Sequence, residues 1–75
     1  MQEEIGTTAG AIWRALNANG ELSLPGLKEQ IEAKSPVFEW AIGWLAREDK
    51  IAIRRHQRSF RVRLLNDAQT RSAGA

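Results

Sequence analysis

The apolar positions follow a helical period over the first two-thirds of the chain and alternate after that. Between Glu3 and Ala18, residues Ile5, Ala9, Ile12, Trp13 and Leu16 fall on one face at helical spacing. Glu3 and Glu4 suit the positive end of such a helix. Thr7 or Thr8 could serve as the cap of a shorter one. Asn19-Gly20 supplies the stop. Glu21-Leu22-Ser23 is long enough only to add a short strand to a sheet made elsewhere. Ser23 suits an N-cap, with Pro25 tolerated in the first turn. The second helix carries Leu24, Leu27 and Ile31 and is expected to end near Ala33-Lys34. Ser35-Pro36 reads as cap and first position of a third helix running to Arg47. Its narrow apolar face is Phe38, Ala41, Ile42 and Leu45, with Val37 and Trp44 at one border; Trp40, Gly43 and Arg47 point away. Ile51 and Ile53, then Phe60, Val62 and Leu64, alternate with other residues, which predicts two strands. The polar segment 55–59 contains no Gly and is expected to form a hairpin loop of about four or five residues. Residues 66–75 are polar and small, and are expected to be disordered.

The expected order is helix, short strand, helix, turn, helix, strand, strand. A link of two or three residues between the second and third helices reads as a helix-turn-helix, and the terminal hairpin as a wing. The fold class is therefore α+β, a winged helix-turn-helix over residues 3–65. The expected core is Trp13, Leu16, Leu27, Ile31, Phe38, Ile42, Leu45, Ile51, Phe60 and Val62. The alternative is a three-helix bundle with a basic tail, against which the alternation from Ile51 to Leu64 argues.

Three segments carry a resemblance: Ile12-Trp13-Arg14-Ala15-Leu16-Asn17, Gly20-Glu21-Leu22-Ser23-Leu24 and Gly43-Trp44-Leu45-Ala46-Arg47-Glu48-Asp49-Lys50-Ile51. Through them the chain resembles a family of small prokaryotic winged helix-turn-helix proteins of unknown function. The likeness extends up to Leu64. It implies the fold and a stand-alone domain, and supplies no ligand or activity. In the common winged-helix ending of the third helix a Gly stands where this chain has Asp49, so an Asp or Lys must make the turn into the strand.

Charge adds a direction to this scaffold. The net charge is only +2, yet residues 54–63 hold five arginines (Arg54, Arg55, Arg58, Arg61, Arg63) and no acid. Residues 1–53 carry eight acids against five bases, a balance of −3. A basic block beside an acidic body suggests a polyanion-facing edge; a solubilising strand face is the competing reading. Arg54, Arg61 and Arg63 are expected on the outward strand face, with Arg55 and Arg58 at the tip. Planar guanidinium forks suit phosphate, and five such contacts would give a salt slope of about −4 to −5. A wing in the minor groove or along the backbone fits better than base readout.

The third helix is a poor reading surface. Arg47 can meet a guanine edge or a phosphate. Glu39 repels phosphate, although it can accept from a cytosine amino group. Lys34 and Ser35 can add phosphate contacts at the helix start. The expected function is thus a small DNA-binding protein, regulatory or architectural, of weak sequence specificity, with RNA not distinguished from DNA. The alternative is a protein-interaction module, with another protein or in a homodimer, through Trp40 and Gly43; an exposed Trp40 would be the anchor.

Other classes are disfavoured. The chain has no Cys and no Tyr, and its one histidine, His56, lies among arginines with no carboxylate in the same block. A catalytic dyad, a metal site and a cofactor are therefore not expected. No run approaches the roughly 18 apolar residues of a membrane span. The acidic start of the first helix argues against an anionic lipid surface. A soluble cytoplasmic protein without a legible small-molecule pocket is expected.

Overall fold

The first helix, α1, spans Gln2–Asn19 in a computed structural model that describes residues 1–65. It starts before Thr7 and Thr8, so the longer of the two expected helices forms. β1 (Leu22–Ser23), α2 (Leu24–Gln30), α3 (Val37–Arg47), β2 (Ile51–His56) and β3 (Ser59–Leu64) follow. The order matches the expected winged helix-turn-helix. The expectation for residues 66–75 lies outside the described residues.

Helix ends account for much of the geometry. Gly20 closes α1 at φ 83, a backbone region that favours glycine, and donates its N–H to the Leu16 carbonyl. The side chain of Ser23 caps α2 by accepting from the Gly26 N–H at 3.1 Å. A Cβ on residue 26 would stand 2.8 Å from that Ser23 oxygen, so glycine there is a condition of the cap.

α2 and α3 end in the same motif. The Ala33 N–H reaches the Lys28 carbonyl and Glu32 N–H reaches Glu29; the Lys50 N–H reaches Leu45 and Asp49 N–H reaches Ala46. These are paired 6→1 and 5→2 bonds around a left-handed residue. That residue is Glu32 (φ 54) in one case and Asp49 (φ 58) in the other. Asp49 thus makes the turn that a Gly makes in the common pattern.

Three local expectations need correction. α2 stops at Gln30 rather than near Ala33-Lys34, because the left-handed Glu32 ends it, and six residues separate it from α3. Ser35 does not cap α3; Pro36 holds that position without a side-chain bond, and the Ser35 hydroxyl turns to Glu39 and Lys28 instead. The hairpin turn is two residues, Gln57-Arg58, since His56 already pairs with Ser59. Gln57 takes φ 56, the left-handed conformation for which a Gly would have been the sequence signal.

The three strands form an antiparallel sheet in the order β1-β3-β2. Its covered face meets the helices. The core consists of Ala9, Ile12, Ala15 and Leu16 from α1, Leu27 from α2, Phe38, Ala41, Ile42 and Leu45 from α3, Ile51 and Val62. Ile31 packs on it partly buried.

Trp13 and Phe60 leave the expected core. Trp13 is 46% exposed because it lies about 90° around α1 from the centre of the buried stripe. Phe60 is 42% exposed because the wing runs past the end of the helical layer. Ile53, expected on a buried face, is exposed although its partner Val62 is fully buried, because β2 is the outer strand of the sheet. No helix among the described residues is long and apolar enough to cross a membrane.

Candidate nucleic-acid interface

The register sorts the wing arginines by face. Directly paired residues share a face of the sheet. Arg54 pairs with Arg61, and Ala52 with Arg63, which puts three guanidinium groups on the uncovered face as expected. Arg55 pairs with Phe60, so it projects from the opposite face, near the tip. Arg58 occupies the turn itself. Four of the five are exposed and Arg61 is half-buried.

Glu21 changes what this surface can do. Its Oε2 accepts from Arg61 Nε at 3.1 Å and from Arg54 Nη2 at 3.4 Å. β1 brings Glu21 to this place by pairing Leu22 with Val62 and Ser23 with Arg61. The Arg61 hydrogen bond holds the Glu21 carboxyl below its ordinary pKa; partial desolvation opposes this, and the charges of Arg54, Arg61 and Arg63 add to the lowering. Arg54 and Arg61 are therefore already engaged with a carboxylate in the free protein. The charge run gave no sign of this, because Glu21 lies 33 residues before Arg54.

A second charged cluster ties α2 to α3. Lys28 Nζ donates to Ser35 Oγ and to Glu39 Oε2, the latter at 3.3 Å, and Ser35 Oγ donates to the same Oε2 at 2.8 Å. Lys28 also stands 5.8 Å from the Phe38 ring centroid. The Glu39 carboxyl is held below its ordinary pKa chiefly by the Ser35 hydrogen bond, with Lys28 contributing. The cluster neutralises the acid that made α3 a poor reading helix. It also occupies the Ser35 side chain, and because Ser35 precedes the Pro36 N-cap its backbone N–H lies outside the first turn of α3, where a phosphate contact was expected. Arg47 is exposed in the last turn of α3, and Lys34 is exposed in the segment that precedes the helix.

The tryptophans lie elsewhere. Trp40 and Gly43 are exposed on α3, as expected of residues pointing away from its apolar face. Trp44 is 49% exposed and stands with Trp13 over a shallow groove floored by Gly6 and Gly10 of α1. Sequence spacing placed Trp13 inside and so missed this pairing. No group of three or more potential metal ligands occurs among the described residues.

Comparison with known proteins agrees with this architecture. The model of the winged helix-turn-helix domain family DUF2582 matches residues 1–64. The uncharacterized protein MJ1608 of Methanocaldococcus jannaschii is 37% identical over 67 residues, covering 85% of this chain and 94% of that one. The solution NMR structure of protein BT2368 from Bacteroides thetaiotaomicron is similar with a TM-score of 0.72 at 32% identity, over 84% of this chain and 77% of that one. The crystal structure of transcriptional regulator PA4135 matches 99% of this chain and 60% of that chain, with a TM-score of 0.76 at 17% identity, a likeness of fold. With three helices, a β-hairpin wing and a family match over nearly every described residue, the chain belongs to the winged helix-turn-helix family DUF2582.

Proposed function

We propose that this protein binds DNA in a regulatory or architectural role, chiefly through its arginine wing. The observation that carries the reading is the cationic hairpin: five arginines within residues 54–63 and no acid among them. Arg55 and Arg58 at the tip are the principal phosphate contacts. Arg47 from the last turn of α3 and Lys34 from the segment before that helix add contacts. Arg54, Arg61 and Arg63 form a flanking cationic face, of which Glu21 restrains the first two. Specificity is weak, because the exposed side of α3 offers Arg47 as its one strong base-reading group.

The test is fluorescence anisotropy of a random duplex of about 20 base pairs across a salt series. Contacts from Arg55, Arg58, Arg47 and Lys34 give a log–log slope of about −3 to −4. Replacing Arg55 and Arg58 by Ala should reduce its magnitude by about 1.8. No binding at low salt defeats the proposal.

A second reading is favoured by the three half-exposed tryptophans. Here the exposed side of α3, with Trp40 and Gly43 at its centre, docks a second copy of the chain or another protein. Tryptophan at such a site is a typical anchor. Light scattering across a concentration series tests the homodimer form, and a mass of one chain at millimolar protein rejects it.

A further inference from the structure

A groove separates the helix-turn-helix from the wing. Leu24, Pro25 and Phe38 line it from the helices and Phe60 from β3, with Lys28 and Arg58 beside them. Phe60 is the feature that calls for an account. It is a large aromatic left 42% exposed on an otherwise charged hairpin tip. Arg55 stands directly across the ladder from it on the same face, and Arg58 lines the same groove.

An aromatic ring flanked by guanidinium groups suits a nucleobase with its adjoining phosphates. Within a duplex each base has both faces covered by its stacked neighbours, so the ring meets a base face there only at the cost of unstacking a step. An unpaired base presents a face without that cost. Leu24 and Pro25 line the groove beside the ring and offer the base an apolar surface. Glu39, also lining the groove, has its charge offset by Lys28 and can accept from an exocyclic amino group such as that of cytosine.

The geometry points to a base-stacking site in this groove: Phe60 stacks on an unpaired nucleobase while Arg55 and Arg58 hold the neighbouring phosphates, so the protein takes single-stranded nucleic acid in preference to duplex. This rests on the nucleic-acid reading above and narrows its substrate class.

The experiment compares a labelled single-stranded oligo-dC of about 12 nucleotides with a hairpin duplex of equal phosphate count, at one salt concentration, for the wild type, Phe60→Leu and Phe60→Tyr. The wild type is expected to bind the single strand more tightly. Phe60→Leu should weaken single-strand binding about fivefold or more, while leaving duplex binding within about twofold, and Phe60→Tyr should retain single-strand binding. Circular dichroism and the urea midpoint show whether the Phe60→Leu variant is folded. If that variant fails to fold, amide shifts of the wild type decide: they must move on addition of oligo-dC at residues 24, 26–28 and 58–60. Equal binding of both probes, or equal loss on both in folded Phe60→Leu, overturns the site. Duplex binding that depends on Arg55 and Arg58, with none to oligo-dC, overturns the base site and keeps the wing. Absence of binding to either probe overturns both readings.

Discussion

Glu21 shares one carboxylate oxygen between Arg54 and Arg61, which in the proposed interface makes it a competitor for DNA phosphate. Glu21→Gln removes that charge while keeping a side chain of the same shape. In the wild type a DNA phosphate must displace an intramolecular partner to reach either arginine. In the variant both guanidinium groups are open to it. Each further phosphate that the protein neutralises makes the log–log salt slope more negative by about 0.9. The variant's slope should therefore steepen from about −3 to −4 in the wild type to about −4 to −6. With one more phosphate neutralised, the variant's affinity advantage also shrinks about eightfold over a tenfold rise in salt. Anisotropy of the same random duplex between about 50 and 500 mM salt reads both quantities. An unchanged slope would refute the reasoning. It would place Arg54 and Arg61 away from the bound backbone and confine the interface to the wing tip and α3.

Phe38→Ala should cost about 3–5 kcal/mol, since the ring is fully buried among residues of α1, α2 and the sheet; urea unfolding followed by circular dichroism measures it. Asp49→Gly should stabilise by about 0.5–1 kcal/mol, because position 49 holds a left-handed φ of 58 that glycine adopts without a Cβ clash, and the urea midpoint should rise. Acid should destabilise the fold through two carboxylates. Glu21 and Glu39 are both held below their ordinary value of 4.5, so each binds a proton more weakly folded than unfolded. Their contribution is fully present above pH 4.5 and is lost as pH falls through their lower folded values. The double variant Glu21→Gln, Glu39→Gln should lose part of the wild type's decline in melting temperature below pH 4.5.

Periodicity along the chain determined the element order, because helices and strands here each bury one face and the buried residues recur at a period of about 3.6 or 2. Ser23, Gly20 and the alternation from Ile51 to Leu64 were legible for that reason, as were the five clustered arginines. Positions whose fate depends on what lies opposite were not legible. Trp13 stands at the border of the apolar stripe of α1 and Phe60 beyond the end of the layer that covers its strand, and only the packing decides where those edges fall. The turns at Glu32 and Gln57 use left-handed backbone without glycine, so composition carried no signal for them. Glu21 meets Arg54 and Arg61 only after β1 pairs with β3. The sequence by itself determined that the wing is cationic; the sheet register decided which arginines meet a carboxylate and which flank an exposed ring, because electrostatic and stacking contacts depend on separation in space.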